Sequence, residues 1–248
     1  ADTAAMAKNL GAVAAYLAAL REDTGREIHL GLEPEPSCHL ETTAETVSFF
    51  KDALLTAGVA EVKRIRQCDG DAAEELMRRH VGVCFDTCHV ALQFEDPIES
   101  LRTYVREGIR VSKVQLSAAL TTGGAPGDWE ALRPFAEGVY LHQVKARLPD
   151  GQIRSWIDLP GALADDEGRA GLEEVRVHFH VPLFFKGNGP LASTVSTLTP
   201  DFFRELRSGA TSHVEIETYT FDVLPPEIHP GDVVKSIARE YAWVQELL

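Results

Sequence analysis

The run Val81-Gly82-Val83-Cys84-Phe85-Asp86-Thr87-Cys88-His89 reads as a strand that ends in chemistry. Val81, Val83 and Phe85 fall on one side of an extended chain and Gly82, Cys84 and Asp86 on the other, because successive side chains of a strand alternate. The first side is apolar and suits packing against helices. The second is small until it finishes in a carboxylate, and Thr87, Cys88 and His89 follow just beyond it.

The same grammar extends in both directions. Ile28-His29-Leu30-Gly31-Leu32-Glu33 alternates strictly. Segment 110–116 sets Val114 and Leu116 against Lys113 and Gln115. Segment 175–181 sets Val175, Val177, Phe179 and Val181 against Arg176, His178 and His180, and 213–217 sets Val214 and Ile216 against His213, Glu215 and Glu217. Between these strands, helical spacing of apolar residues predicts helices near 4–21, 42–54, 73–80, 96–107, 200–207 and 232–247. Asp96-Pro97 and Thr199-Pro200 have the cap-then-proline form of helix starts.

Strands alternating with helices predict a parallel α/β architecture. An open sheet covered on both faces wants apolar residues at both parities. One polar parity fits a closed TIM-type (β/α) barrel better, since its interior turns polar at the C-terminal mouth. One segment breaks the pattern: strand-like runs flanking Pro149-Asp150-Gly151 predict an inserted β-hairpin near 139–159. Residues 187–199, rich in Gly, Ser and Thr, are expected to form a mobile loop. No linker or repeat divides the chain, so residues 1–248 are expected to form a single barrel domain. It opens at Ala1-Asp2-Thr3, directly in a helical stretch, as though cut from something longer.

The 248 residues carry 24 Lys and Arg against 38 Asp and Glu, a formal charge of −14. That balance argues against a nucleic-acid partner, whose affinity rests on clustered cations. No apolar run approaches the roughly 20 residues of a bilayer span, and the N-terminus lacks signal-peptide features, so a cytoplasmic protein is expected. Cys38, Cys68, Cys84 and Cys88 form no metal or disulfide spacing and read as reduced packing residues.

Glu33, Asp86, Gln115, His180 and Glu217 all fall at or near C-terminal strand ends. Carboxylates converging there repel one another and lose hydration unless a cation balances them. Oxygen ligands with an imidazole or amide suit one Mn, Mg, Co or Zn ion. His178, one inward position deeper, reads as a hydrogen-bonded core ring, Glu215 as structural, and His142 and Arg147 as solvated hairpin residues.

Asp86-Thr87-Cys88-His89, with Leu32-Glu33-Pro34, Val114-Gln115-Leu116 and Ile216-Glu217-Thr218, resembles the xylose isomerase-like TIM barrel superfamily. The longer pattern, from Gly31-Leu32-Glu33-Pro34-Glu35-Pro36 to Val214-Glu215-Ile216-Glu217-Thr218, is most similar to the metabolite traffic protein EboE family. The resemblance implies Glu33, Asp86, Gln115 and Glu217 as ligands of one divalent metal and His89 as a substrate contact. It also implies eight barrel strands, of which about five are visible, so the first ones would precede Ala1.

Three functions follow from this. The first is a metal-dependent isomerase or epimerase on a small sugar or polyhydroxy carbonyl metabolite, with Glu33 and Glu217 exchanging the proton. Glu35, held by flanking prolines, and Lys113, His89 and His180 would bind the substrate. The second is a noncatalytic metabolite-binding or traffic protein. The third is an endonuclease IV-like zinc phosphodiesterase, opposed by the net charge and by Gln115 where a histidine is expected. A homo-oligomer, or a missing N-terminal segment, would complete the barrel.

Overall fold

A computed structural model describes residues 2–226 and 228–248. In chain order the elements are α1 (Thr3–Thr24), β1 (Leu30–Leu32), α2 (Thr43–Phe49), α3 (Val59–Arg66), α4 (Gly70–His80), β2 (Val81–Asp86), α5 (Thr87–Leu92), α6 (Pro97–Arg106) and β3 (Val111–Leu116). Then come β4 (Ala119–Gly123), α7 (Pro126–Glu130), β5 (Val144–Arg147), β6 (Ile153–Trp156), α8 (Leu159–Ala164), β7 (Glu174–His180), β8 (Ala192–Ser193), α9 (Pro200–Glu205), β9 (Val214–Ile216) and α10 (Val233–Gln245). The fold is mixed α/β: a four-stranded parallel sheet, β1-β2-β3-β9, and a five-stranded antiparallel sheet, β6-β5-β7-β4-β8. Among the described residues the nine strands group into these two sheets.

The chain makes two compact units: Ala1–Phe85 with Glu99–Val114 and Gly209–Val214, and Asp86–Ile98 with Gln115–Ser208 and Glu215–Leu248. In the first, β1 pairs in parallel with β2, Leu30 opposite Val81 and Leu32 opposite Val83. Gly82 is required by close approach, since a Cβ there would lie 2.3 Å from the Arg110 carbonyl oxygen. Glu27 ties the base of this sheet, its carboxylate meeting Arg79 and Arg110 at 3.0 and 2.7 Å. Those two guanidiniums hold it down to about 2.

α1 packs its small face, Ala7, Gly11, Ala14, Ala15 and Ala18, as a buried stripe. By length and composition alone α1 could cross a membrane, unlike the expectation from the sequence, because its alanines add apolar length without bulk. Between α2 and α3 the helix continues through a π-wound segment, Phe50–Gly58. There Gly11 meets backbone: an added Cβ would sit 2.4 Å from the Gly58 carbonyl oxygen.

In the second unit β5 and β6 form the expected hairpin, paired from Val144 opposite Trp156 to Arg147 opposite Ile153. Gly151 closes the turn in the left-handed region, φ 85°. The hairpin is part of a larger sheet that the sequence did not announce. β7, expected among the parallel strands, runs antiparallel to both β5 and β4. β4 was not anticipated, and the supposed mobile loop at 187–199 includes β8, which pairs with β4. The core beneath holds Trp129, Phe135, Phe179, Phe202 and Phe203, all fully buried, with Phe135 edge-on to Phe179 at 5.0 Å. Rings buried this way stabilise by about 2 kcal/mol each.

Helix propensity alone favours Gly11→Ala by about 1 kcal/mol. The clash with the Gly58 carbonyl outweighs it, so the variant is expected to melt several degrees below the parent in calorimetry; a rise in Tm would refute this packing.

Candidate metal centre

β2 ends in Asp86, which is also the N-cap of α5: its Oδ1 accepts the His89 N–H at 3.0 Å. The same oxygen accepts the Ser117 hydroxyl at 2.8 Å. Ser117 Oγ accepts the Cys88 N–H at 2.9 Å, while Thr87 Oγ1 donates to the Ser117 carbonyl at 2.8 Å and accepts the Ser117 N–H at 2.9 Å. A reciprocal clasp therefore joins residues 86–88 to 117. Every side chain in it is buried, so each bond has little competition from water.

Against this clasp, in the same unit, β7 presents His178 and His180 two residues apart on one strand face. The ring centroids of His89 and His178 are 4.7 Å apart, those of His178 and His180 5.3 Å, and those of His89 and His180 6.1 Å. Gln143 Oε1 accepts from His178 Nδ1 at 2.7 Å, which makes His178 Nε2 the acceptor of a 3.1 Å bond from His89 Nε2. His180 Nδ1 donates to the Glu217 carbonyl at 3.3 Å. Its Nε2 is buried with no hydrogen-bond partner among the described residues, and so is Asp86 Oδ2.

Ligand atoms of Asp86, His89 and His180 lie within 4.8 Å of one another. A buried carboxylate oxygen and a buried imidazole nitrogen, each lacking a donor, are costly together unless a cation serves both. Two imidazoles and a carboxylate are a donor set for a borderline divalent ion. The residues fit the metal.

Electrostatics favour the ligand-ready forms. Burial draws His180 down to about 4 against the opposing pull of Asp86. His178 falls well below the usual imidazole value through burial, then through His89 and His180. Burial pushes the Asp86 carboxyl up, but His89 and His180 more than offset it and leave it below the usual carboxylate range. The Cys88 thiol is the exception, raised well above its usual value first by burial, then by Asp86 and Glu217.

Of the residues expected from the sequence, Asp86, His89 and His180 come together. Glu217 adjoins them, its N–H on the Leu116 carbonyl at 3.1 Å and its Oε2 4.0 Å from His180 Nδ1. Gln115 is buried near the end of β3, its carbonyl accepting from Thr87 Oγ1 at 3.2 Å. Three others belong to the first unit. Glu33 is exposed just after β1, Lys113 is half-buried within β3, and Glu35 donates its N–H to the Leu40 carbonyl at 2.9 Å.

His142 corrects the expectation of a solvated ring. It is fully buried, with Nε2 2.8 Å from Glu137 Oε1 and Nδ1 3.1 Å from the His178 carbonyl. Arg147 pairs with Glu173 and Glu174, and Arg176 with Glu174. Sequence reasoning missed Ser117, Gln143 and Tyr219, whose ring packs on His180 at 4.6 Å. No residue-type signal marks them, since each acts through position alone. Compared with family models, with curated proteins and with solved structures, the chain finds no match.

Two outcomes are expected. Loaded with manganese, the purified chain should hold about one ion, lost in Asp86→Asn and in His180→Gln; manganese retained in both would refute the centre. For metal-free protein, the unfolded His180 near 6.5 binds a proton that the folded one refuses until about 4. Stability therefore falls as pH drops through that window, by up to about 3 kcal/mol from this residue. Urea midpoints measured from pH 7 to pH 4.5 should decline steeply in the parent and less in His180→Gln.

Proposed function

We propose that the chain is a metal-dependent isomerase or epimerase of a small sugar or polyhydroxy carbonyl metabolite, working in the cytoplasm on a xylose isomerase-like (β/α) barrel. One observation carries the reading: the buried Asp86-His89-His180 constellation stands where the Asp-Thr-x-His run leaves a parallel strand. The parallel order β1-β2-β3-β9 with helices between its strands is compatible with such a barrel.

Asp86, His89 and His180 would hold the ion. Bound there, a divalent metal supplies polarisation of substrate carbonyl and hydroxyl oxygens. The chain's own part is to place a base beside them. Glu217 suits that role, because its backbone is fixed on Leu116 and its side chain, 30% exposed, brings a buried Oε2 to 4.0 Å from His180 Nδ1. Tyr219, packed on His180, and Tyr140, 4.9 Å from Tyr219, form an aromatic wall able to lie against a sugar face. The resemblance assigns the partner proton-transfer role to Glu33 and substrate contacts to Glu35 and Lys113.

The clustering of His89, His178 and His180 also favours a second reading, a zinc phosphodiesterase. The two part in one experiment. Incubated with trioses, pentoses and hexoses in deuterated water, the metal-loaded chain should wash deuterium into a carbon next to a carbonyl. Glu217→Gln should slow this by about 100-fold or more, with metal content unchanged. Cleavage of a phosphodiester with no exchange on any sugar would transfer the assignment to the second reading.

A further inference from the structure

We propose that the same pocket contains a second, thiolate-bearing seat for a soft divalent ion such as zinc or cobalt, formed by Cys88, His178 and His180. Ligand atoms of these three residues lie within 4.8 Å of one another, and all three are buried. The seat shares only His180 with the Asp86 set and does not depend on the isomerase reading.

Each imidazole is oriented as a ligand should be. His178 Nδ1 is spent on Gln143 Oε1 at 2.7 Å, and His180 Nδ1 on the Glu217 carbonyl at 3.3 Å. A ring whose Nδ1–H is held by an oxygen presents its Nε2 lone pair, the outer-shell arrangement that fixes metal-binding histidines. His180 Nε2 is buried and has no hydrogen-bond partner among the described residues, an observation independent of the cluster itself. Cys88 is set by its N–H bond to Ser117 Oγ and by its place in the first turn of α5.

Sulfur decides the ion. Thiolate with two imidazoles suits zinc and cobalt, whereas Mg and Mn take oxygen donors. On binding, the Cys88 S–H bond breaks, the sulfur's electron pair goes to the metal, and the proton leaves to buffer, so no oxidant or reductant is required. His180 has one free nitrogen, which makes the two seats mutually exclusive. An ion on Cys88 also takes the His178 Nε2 that otherwise accepts from His89. The hard set and the soft set are thus alternatives, and the metal's own chemistry chooses between them.

Cobalt titration of the whole chain tests this. We expect one equivalent of Co²⁺ to raise an intense thiolate-to-cobalt charge-transfer band in the near ultraviolet. The band should vanish in Cys88→Ser and persist in Asp86→Asn and in the control Cys84→Ser. Should Cys88→Ser fail to fold, zinc X-ray absorption on the parent chain answers without a variant, a sulfur shell near about 2.3 Å being the expected result. Cobalt bound with no such band and released by Asp86→Asn would overturn the proposal while leaving the Asp86 seat standing. A band indifferent to Cys88→Ser, a zinc shell of nitrogen and oxygen alone, or no uptake of either ion at micromolar concentration would also overturn it.

Discussion

A carboxylate buried at the end of a strand needs compensation, and much of the second unit is arranged to supply it to Asp86. Its Oδ1 is satisfied by the His89 N–H and the Ser117 hydroxyl, and its surroundings leave the carboxyl below the usual carboxylate range despite burial. Taking an isolated carboxylate out of water is prohibitive, so these partners are conditions for the fold and not additions to it. Ser117 can answer only because Thr87 clasps its backbone in both directions. One charge thereby sets the register between residues 86–88 and 117.

The histidines reach the carboxylate by a different route. β7 lies between β5 and β4, and this antiparallel seat holds its backbone while Phe179 points into the aromatic core. With Phe179 committed to that core, the alternation of the strand sends His178 and His180 together to the opposite face. Core packing and site geometry are therefore one decision. Gln143 and His142 extend it, Gln143 turning His178 and His142 bonding the His178 carbonyl.

Much of this was legible in the residues. The strand at 81–86 and its terminal Asp-Thr-x-His follow from strict alternation, the hairpin from Pro149-Asp150-Gly151, and the helix at 97–106 from Asp96-Pro97. Strand direction was not legible for β7. Its alternating pattern is the same in either orientation, and the partner that settles the matter, β4, is a short Ala-Leu-Thr-Thr-Gly run with little strand character. His142 was misread for a related reason: its burial depends on Glu137, five residues earlier in irregular chain, and no periodicity links the two. Asp86 and His180 were visible as strand-end residues and His89 through the resemblance, although the ligand set expected from it was Glu33, Asp86, Gln115 and Glu217; Ser117 and Gln143 act by hydrogen-bond geometry that composition cannot encode.

Asp86 is a helix cap as well as a candidate ligand, and that double duty bears on how such sequences diverge. A lineage that abandoned the metal would still need an oxygen at this position to start α5 and to satisfy Ser117. Replacing a cap of this kind costs about 1 kcal/mol on its own. Selection for folding alone would thus preserve an aspartate here. An aspartate at this position, read alone, therefore reports the start of a helix; the histidines on β7, which no cap or turn demands, are the better gauge of a metal seat.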